Sequence, residues 1–597
     1  MARRLHGVDC PINDITDYSF SWAANDSPRF PNAISDWSGK PLTLRERRMM
    51  ALMGEITDKP EWDRKVFDDK IVAKWRAEAL ATNADAEPER VLTEKAIDYC
   101  IEELRDHASK LKESQMVPAV DANGVVYKSD TLVTAEMKDA LKSAAAPLED
   151  VPDDKKDWHP HSGEQVLDLV HPSLFPLLYG RSTVLAEGTV TLDDCTSYIG
   201  KGLVAPVPED DHVKVEHFPG RSGWDRWGQN PKQHFYSKKY QWLPCEVAFR
   251  GVDDMEITSY INNVHPQLHK PLYEAVQRII AEAVPMWSAC LSRSDDAAPL
   301  RDDADAEWIE PTEKRPAAEN EAELDEDDIW DLDEDWTREN RTLSIPDVEE
   351  SYQTRAKQGD PTKFVDLRAT FAEQGLQVIV KLANIHLNPE KPDYAGGSWH
   401  IEGQLNEHIC ASALYYYDSS NITDSYLSFR EATNTEHLEE KGYEQGDFEH
   451  LERVYGIQNE EAAVQDLGRV NTREGRLLAF PNVFQHRVEP FSLADDSQPG
   501  HRKILALFLV DPHIRIPSTA HVPPQQKDWW RGMVYGLDRV ANLPPELAEH
   551  VLESAGDLPI ELQEAKDIRL DLMEERKMFV QDVDTRYQQE TFSFCEH

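Results

Sequence analysis

The sequence predicts an α+β protein with a mostly helical N-terminal region, a β-rich core over residues 343–525 and a helical C-terminal extension. Three observations lead there. Apolar residues recur at spacings of three and four before about residue 112 and again after Trp529. Between Leu376 and Asp511, four segments rich in β-branched, aromatic and small residues read as strands. An acidic, apolar-poor stretch separates the two textures. At roughly 100–200 residues per domain, 597 residues allow three or four domain-sized units.

Residues 1–40 are polar, with Pro31 and several Asn and Asp, and are expected to form a loose arm. Residues 41–294 make a helical and mixed α/β region. RERRMMALMGEIT, WDRKVFDDKIVAKWRAEALA and VLTEKAIDYCIEELRDHASKL carry the helical spacing, with Thr93 as an N-cap. In VPAVDANGVVYKSD, Asn123-Gly124 between short apolar runs predicts a hairpin turn, and TAEMKDALKSAAA returns to helix. Trp158 to Phe249, rich in Pro, Gly and aromatics, reads as short strands and long loops. Lys270 to Leu291 is the strongest helix of the middle region.

Residues 295–342 are expected to be a disordered acidic insertion. Asp295 to Asp335 holds 19 acidic and 3 basic side chains in 41 residues, too little apolar surface to offset ordering entropy. Its end, DDIWDLDEDW, sets Trp330, Leu332 and Trp336 among acids. It reads as a solvated loop or as a docking motif for a basic partner or for the protein's own basic groove. The core strands are LQVIVKLANIHL (376–387), HICASALYYYD (408–418), GRLLAFPNVF (475–484) and HRKILALFLVD (501–511), with a Glu-rich, helix-like insertion around 431–467. Residues 526–597 return to helical spacing, and no internal repeat is present.

Composition excludes some functions. With 111 Asp+Glu against 64 Lys+Arg, the formal net charge is −47, which opposes nucleic acid and anionic membranes by bulk charge. Seven Cys without a CxxC fit a reducing compartment. There is no apolar segment long enough for a secretory signal or a membrane span, so a cytoplasmic or nuclear location is expected.

Three His-x-Glu triplets occur. Those at His437 and His450 fall in the Glu-rich insertion and read as solvated surface. The third, His400-Ile401-Glu402, follows Gly396-Gly397-Ser398-Trp399 between two strands. Positions i and i+2 of an extended segment point to one side, so His400 and Glu402 can converge on one ion. His486, at the end of GRLLAFPNVFQH, is the best third ligand. Two imidazoles and a carboxylate on one face form the facial triad of non-haem Fe(II) oxygenases, which leaves positions open for substrate, cosubstrate and O₂.

Strand alternation puts Arg502, Ile504, Ala506 and Phe508 on one face, and Cys410, Ser412, Leu414 and Tyr416 on one face of the earlier strand. A guanidinium among apolar neighbours needs an anion, and the far carboxylate of a dicarboxylic cosubstrate would supply it. Tyr416 and Ser412 are expected to bond to the same carboxylate. Arg487 and Lys503 compete for the anchoring role. Lys381, Asn384 and His386 are candidates for the pocket wall. His408 is expected to face away, Tyr415 and Tyr417 to pack on the opposite face, and the YINNVHP segment to be structural.

His400-x-Glu402, the strand ending in Tyr415-Tyr416-Tyr417, Arg476-Leu477-Leu478-x-Phe480, His486 and Arg502 together resemble the Fe(II)/2-oxoglutarate dioxygenases, most of all the prolyl-hydroxylase branch. Glu402 stands where those enzymes usually carry Asp, and the interval from His486 to Arg502 is longer than theirs. The resemblance covers residues 376–512. It implies a double-stranded β-helix (jelly-roll) core, Fe(II) held by His400, Glu402 and His486, and 2-oxoglutarate bound by Arg502 with Tyr416 and Ser412. It also implies hydroxylation, or demethylation through hydroxylation, as the reaction. Blocks such as LDLVHPSLFPLLYGR, SYINNVHPQLH and GGSWHIEGQLNEHICASALYYYD extend a second resemblance along nearly the whole chain, to a large fungal family of unknown function. Three alternatives stay open: a cupin-like metal enzyme that uses no 2-oxoglutarate, a non-catalytic acidic interaction module on the same barrel, and a zinc hydrolase.

Overall fold

The structure is a computed structural model and describes residues 4–14, 29–34, 37–213, 235–251, 254–292, 301, 306–317, 324–345, 347–348, 350–356, 364–434, 436–441, 447–535, 543–544, 547 and 559–589. Of the N-terminal arm, residues 1–3, 15–28 and 35–36 lie outside the described residues.

The main helices are α1 (Leu44–Thr57), α2 (Asp69–Ala81), α3 (Glu94–Ser114), α4 (Ala135–Glu149), α5 (Lys270–Leu291), α6 (Glu326–Asn340) and α7 (Leu562–Gln589). The first four begin where a side-chain oxygen accepts an otherwise unpaired N–H of the first turn: Thr43 from Glu46, Asp68 from Lys70 and Ile71, Thr93 from Ala96, Thr134 from Met137. The apolar stripes of α1, α2 and α3 close on one another around Met49, Trp75, Ile97 and Leu104.

The main strands, in chain order, are β1 (Val117–Asp121), β2 (Val125–Ser129), β3 (Val166–Val170), β4 (Cys245–Arg250), β5 (Asp254–Ile257), β6 (Leu376–Leu387), β7 (Ile409–Ser420), β8 (Tyr426–Ala432), β9 (Val464–Asn471), β10 (Leu477–Pro481), β11 (Gln485–Val488) and β12 (Gly500–Val510). A large sheet runs β1-β2-β10-β7-β12-β6-β4-β5 and is antiparallel at every pairing. β3 pairs with the later part of β6, on the edge that β4 uses at its start. A small antiparallel sheet runs β9-β8-β11.

Alternation along the strands divides the core in two. On β12, Leu505, Leu507 and Leu509 pack under α4 and α5, together with Trp287 and Ile279. Ala506, Phe508 and Val510 face the other way and meet Leu427 and Phe429 of the small sheet. The molecule is thus layered: helices, large sheet, small sheet. The N-terminal region is not a separate appendage, because β1 to β5 are strands of the same large sheet. No helix among the described residues is long and apolar enough to cross a membrane.

Three expectations need correction. The stretch expected to be disordered carries, in its described residues, helix α6 and a strand, Glu307–Ile309, paired with Thr342–Ser344. Arg301 is buried there, with its guanidinium between Glu46, Glu103 and Asp121, and Arg341 lies 3.8 Å over the Trp308 ring. A count of acids overlooked that a single Arg can anchor to carboxylates elsewhere in the chain. Next, the Glu-rich insertion is only partly helical: β8 and β9 bracket it, and their polar outward faces hid the small sheet. Finally, Cys410 does not share a face with Ser412. The register shifts between Ile409 and Ala411, and Cys410 joins the helix-side core.

Candidate metal centre

β11 and the loop after β6 bring the three proposed ligands together. His400 and His486 form an antiparallel bridge, each N–H donating to the other's carbonyl at 3.1 and 2.9 Å. The approach is close because Gly396 stands at φ +85°, where a Cβ would meet the Val488 carbonyl at 2.7 Å. Glu402 is fixed differently. The side-chain amide of Asn482, just past β10, accepts from Glu402 N and donates to Glu402 O, both at 2.9 Å, and also donates to Ile409 O. That amide stands in for a strand that the loop lacks.

Glu402 Oε1 lies 3.8 Å from His400 Nε2 and 3.3 Å from His486 Nε2, and one donor atom from each of the three residues falls within 4.8 Å of the others. Bonds near ~2.1 Å at right angles would put neighbouring donors roughly 3.0 Å apart, so a small inward movement would close the set on one cation. His400 Nδ1 donates to Ser398 O at 2.9 Å, which leaves the Nε2 lone pair toward Glu402. Burial, with His486 adjacent, pushes the His400 imidazole down to about 4, so it is neutral at neutral pH. Burial pushes the Glu402 carboxyl up, but the His486 hydrogen bond and both imidazoles outweigh it and hold the group at about 2. An ionised carboxylate and a neutral imidazole are the protonation states that a metal requires. Phe480 and Phe429 pack on His486 with ring centroids at 4.8 and 6.3 Å.

Arg502 is fully buried on β12. Its Nη1 donates to Thr472 Oγ1 at 3.2 Å, while Nε and Nη2 have no hydrogen-bond partner. Tyr416 and Phe491 flank the guanidinium at 5.5 and 4.7 Å, and burial lowers its pKa. Ser412 is not part of this group. It is paired with Phe508, whereas Arg502 is paired with Ser419, so six residues of β12, about 20 Å, separate them. A shared face on a long strand does not mean proximity. Asn384 and His386 also fall away from the site: Asn384 accepts from Tyr417 Oη at 3.1 Å, and His386 lies near Glu149, 3.8 Å away. Lys503 is paired with Glu149, and Arg487 is exposed against Trp399. The YINNVHP segment is structural, its Asn262 and Asn263 amides bonded to the carbonyls of Leu174, Phe175 and His171.

Two features went unread in the sequence. Helix α7 crosses the ligand loop: Phe579 and Val583 pack with Ile401, the residue between the first two ligands. Arg576 donates to the buried Glu407 at 2.6 Å, and Asp584 accepts from Arg430, which stacks on Trp399. The other feature is a second cluster, His159, Asp168 and His171, on and beside β3. His159 Nδ1 donates to Asp168 Oδ2 at 2.8 Å, and Arg569 of α7 lies 3.7 Å from the same oxygen. His171 Nδ1 accepts from Ser173 N at 3.1 Å, which puts its ring proton on Nε2. With one nitrogen accepting and the other protonated, His171 has no lone pair to offer a metal.

A three-layer α/β protein with two imidazoles and a carboxylate converging between its sheets defines a candidate metal-binding class. The family described as "Protein of unknown function (DUF4246)" matches residues 94–533, and its N-terminal domain matches residues 5–78; the chain belongs to that family. No curated protein matches. Among solved structures, the chain is similar to the Fe(II)/(alpha)ketoglutarate-dependent dioxygenase TqaL at 16% identity, over 24% of this chain and 43% of that one, with a TM-score of 0.15. It is similar to a bsmA homolog from Methylobium petroleophilum at 13% identity, over 26% and 47% of the two chains, with a TM-score of 0.15. It is also similar to IDO from Bacillus thuringiensis at 11% identity, over 29% and 70%, again with a TM-score of 0.15. The chain thus spans less than half the length of the first two. At these scores the functional reading stands on the site alone.

Proposed function

We propose that this protein is a non-haem Fe(II)/2-oxoglutarate-dependent oxygenase whose two facing sheets are the halves of a double-stranded β-helix. The observation that carries the reading is a pairing of needs: a convergent His400, Glu402 and His486, and a buried Arg502 with two unpaired donors on the same inter-sheet side. A buried guanidinium without a carboxylate is costly, and an incoming carboxylate would relieve that cost.

In this reading His400, Glu402 and His486 would hold the ion through two neutral imidazoles and a carboxylate. When bound, Fe(II) would supply the O₂ chemistry that decarboxylates a 2-oxo acid and oxidises a C–H bond of the substrate. Arg502 grips the far carboxylate of 2-oxoglutarate, steadied by Thr472. The Tyr416 ring confines the guanidinium and limits where the carboxylate can lie. Phe429 and Phe480 keep water from the His486 side.

The test is an anaerobic titration of the purified protein with Fe(II) and 2-oxoglutarate, followed by the visible charge-transfer absorption of the chelate. Succinate release on admitting O₂ is the second readout. Arg502→Ala should leave Fe(II) binding intact and weaken 2-oxoglutarate by roughly tenfold to a few hundredfold, the usual loss of a charge-assisted pair. Arg502→Lys should recover only part, because Lys lacks the planar fork. Metal binding by the parent without 2-oxoglutarate binding would replace this reading with a cupin-like one.

A further inference from the structure

Arg502 is not the only cation on the inter-sheet face. Lys381 lies on β6 with the parity of Ile379, a residue of the inter-sheet core. It is half-buried and makes no hydrogen bond or ion pair among the described residues. Its charge acts on His400 and Glu402 on one side and on Asp168 and His171 on the other.

The register explains that position. Leu382 pairs with Val170, which sets His171 beside Lys381 at the edge where β3 joins the sheet. Ala506 lies directly opposite Lys381 on β12, and Ala383 lies two residues along β6. Both are small, so the floor of the sheet stays low around the ammonium. Asn263 holds the His171 carbonyl and Ser173 N fixes its ring, so the Nε2–H is a set donor.

We propose that Lys381 and the Nε2–H of His171 form the docking point for an oxyanion of the primary substrate, a carboxylate or a phosphate. The nearby carboxylates do not fill this role. Asp168 is already answered by His159 at 2.8 Å and by Arg569 at 3.7 Å, and Glu402 faces the two imidazoles. Nor can Lys381 share the cosubstrate of Arg502. Lys381 pairs with Ala506 and Ile385 pairs with Arg502, so four residues, about 13 Å, separate the two cations along the strands. The carboxylate carbons of 2-oxoglutarate are roughly 5 Å apart. Two cations at that separation serve two ligands. As a statement about substrate this rests on the oxygenase reading; as an anion site it does not.

The experiment therefore uses metal-free, full-length protein and titrates sodium benzoate, inorganic phosphate and the neutral benzamide, read by calorimetry and thermal midpoint. To remove the carboxylate-binding guanidinium of Arg502, the Lys381 variants are made in Arg502→Ala: benzoate, phosphate or both should bind Arg502→Ala and bind its Lys381→Met derivative at least tenfold more weakly, while benzamide has no effect. Whichever anion binds more tightly identifies the class. Lys381→Gln repeats the measurement if the Met variant does not fold. Anion binding that survives in both Lys381 variants, or is lost in Arg502→Ala alone, overturns the assignment, as does a parent that binds neither anion. Lys381-dependent anion binding in a parent that binds no Fe(II) keeps the anion site and removes the oxygenase reading.

Discussion

Asn482 gives the sharpest test of how the metal centre is held. Its amide makes three hydrogen bonds to backbone: from Glu402 N and to Glu402 O at 2.9 Å, and to Ile409 O at 3.0 Å. Asn482→Ala removes all three. Each buried backbone group left without a partner costs about 1–3 kcal/mol, and the loop carrying Glu402 is half-open to water, so a total near 3 kcal/mol is expected. The ligand itself keeps its side chain but loses its fixed backbone. Losing such support around a metal ligand typically weakens the metal tenfold to a hundredfold, or ~1.4–2.7 kcal/mol. Two measurements separate position from bulk stability: urea denaturation of the metal-free protein, and Fe(II) or Co(II) affinity of the folded variant. A purely structural Asn482 would lower the first and leave the second alone. Parent-like metal affinity in folded Asn482→Ala would refute the claim that this amide positions Glu402.

Other perturbations follow from the same contacts. Glu431 is buried, accepts from Asn123 and from the Trp37 indole, and is pushed up to about 7, chiefly by burial. Its folded pKa lies above its ordinary value, so its contribution to stability is greatest in acid and is lost as pH rises through about 7. The thermal midpoint should fall between about pH 4.5 and 7 and level off above that, and Glu431→Gln should flatten the fall. Arg301→Ala leaves Glu46 and Glu103 buried without their cation, which should cost about 3–5 kcal/mol in urea denaturation. Deleting residues 295–342 should be at least as damaging, the reverse of what the acidic composition suggests. Truncation before Leu562 removes the cover of Ile401 and the Arg576–Glu407 pair, and should weaken metal affinity in whatever protein remains folded.

The convergence of His400, Glu402 and His486 was legible because its signal is local. A His-x-Glu on an extended segment after Gly-Gly needs only one distant partner, and His486 closes a strand of matching texture. Arg502 was legible for a similar reason: strand parity placed a charge among apolar neighbours. What failed needed register. Ser412 has the right parity but lies about six residues too far along the strand, and parity does not measure distance. Cys410 failed because a bulge inverts parity where it occurs. Asn482, Glu407 and Thr472 were missed because each acts through a partner remote in sequence and carries no periodic mark of its own. The small sheet was missed because an edge strand such as β9 is polar on its outer face and reads as loop.

The same reasoning bears on what counts as the functional unit. Residues 376–512, the span of the oxygenase resemblance, supply the three proposed ligands and Arg502 but only part of the wall around them. β3, more than 200 residues upstream of β6, extends the large sheet and brings His171 beside Lys381. α7, outside the matched span 94–533, packs on the residue between two ligands and sends Arg569 to Asp168. A change in α7 therefore reaches the proposed ligand loop through its packing on Ile401, and a change in β3 reaches the Lys381 side of the same face. The core strands alone, expressed without β3 and α7, would carry the ligand residues but lack the supports that fix their geometry. Such a fragment should bind metal weakly even where it folds, and a fragment that binds as tightly as the full chain would show that the outer elements serve only stability.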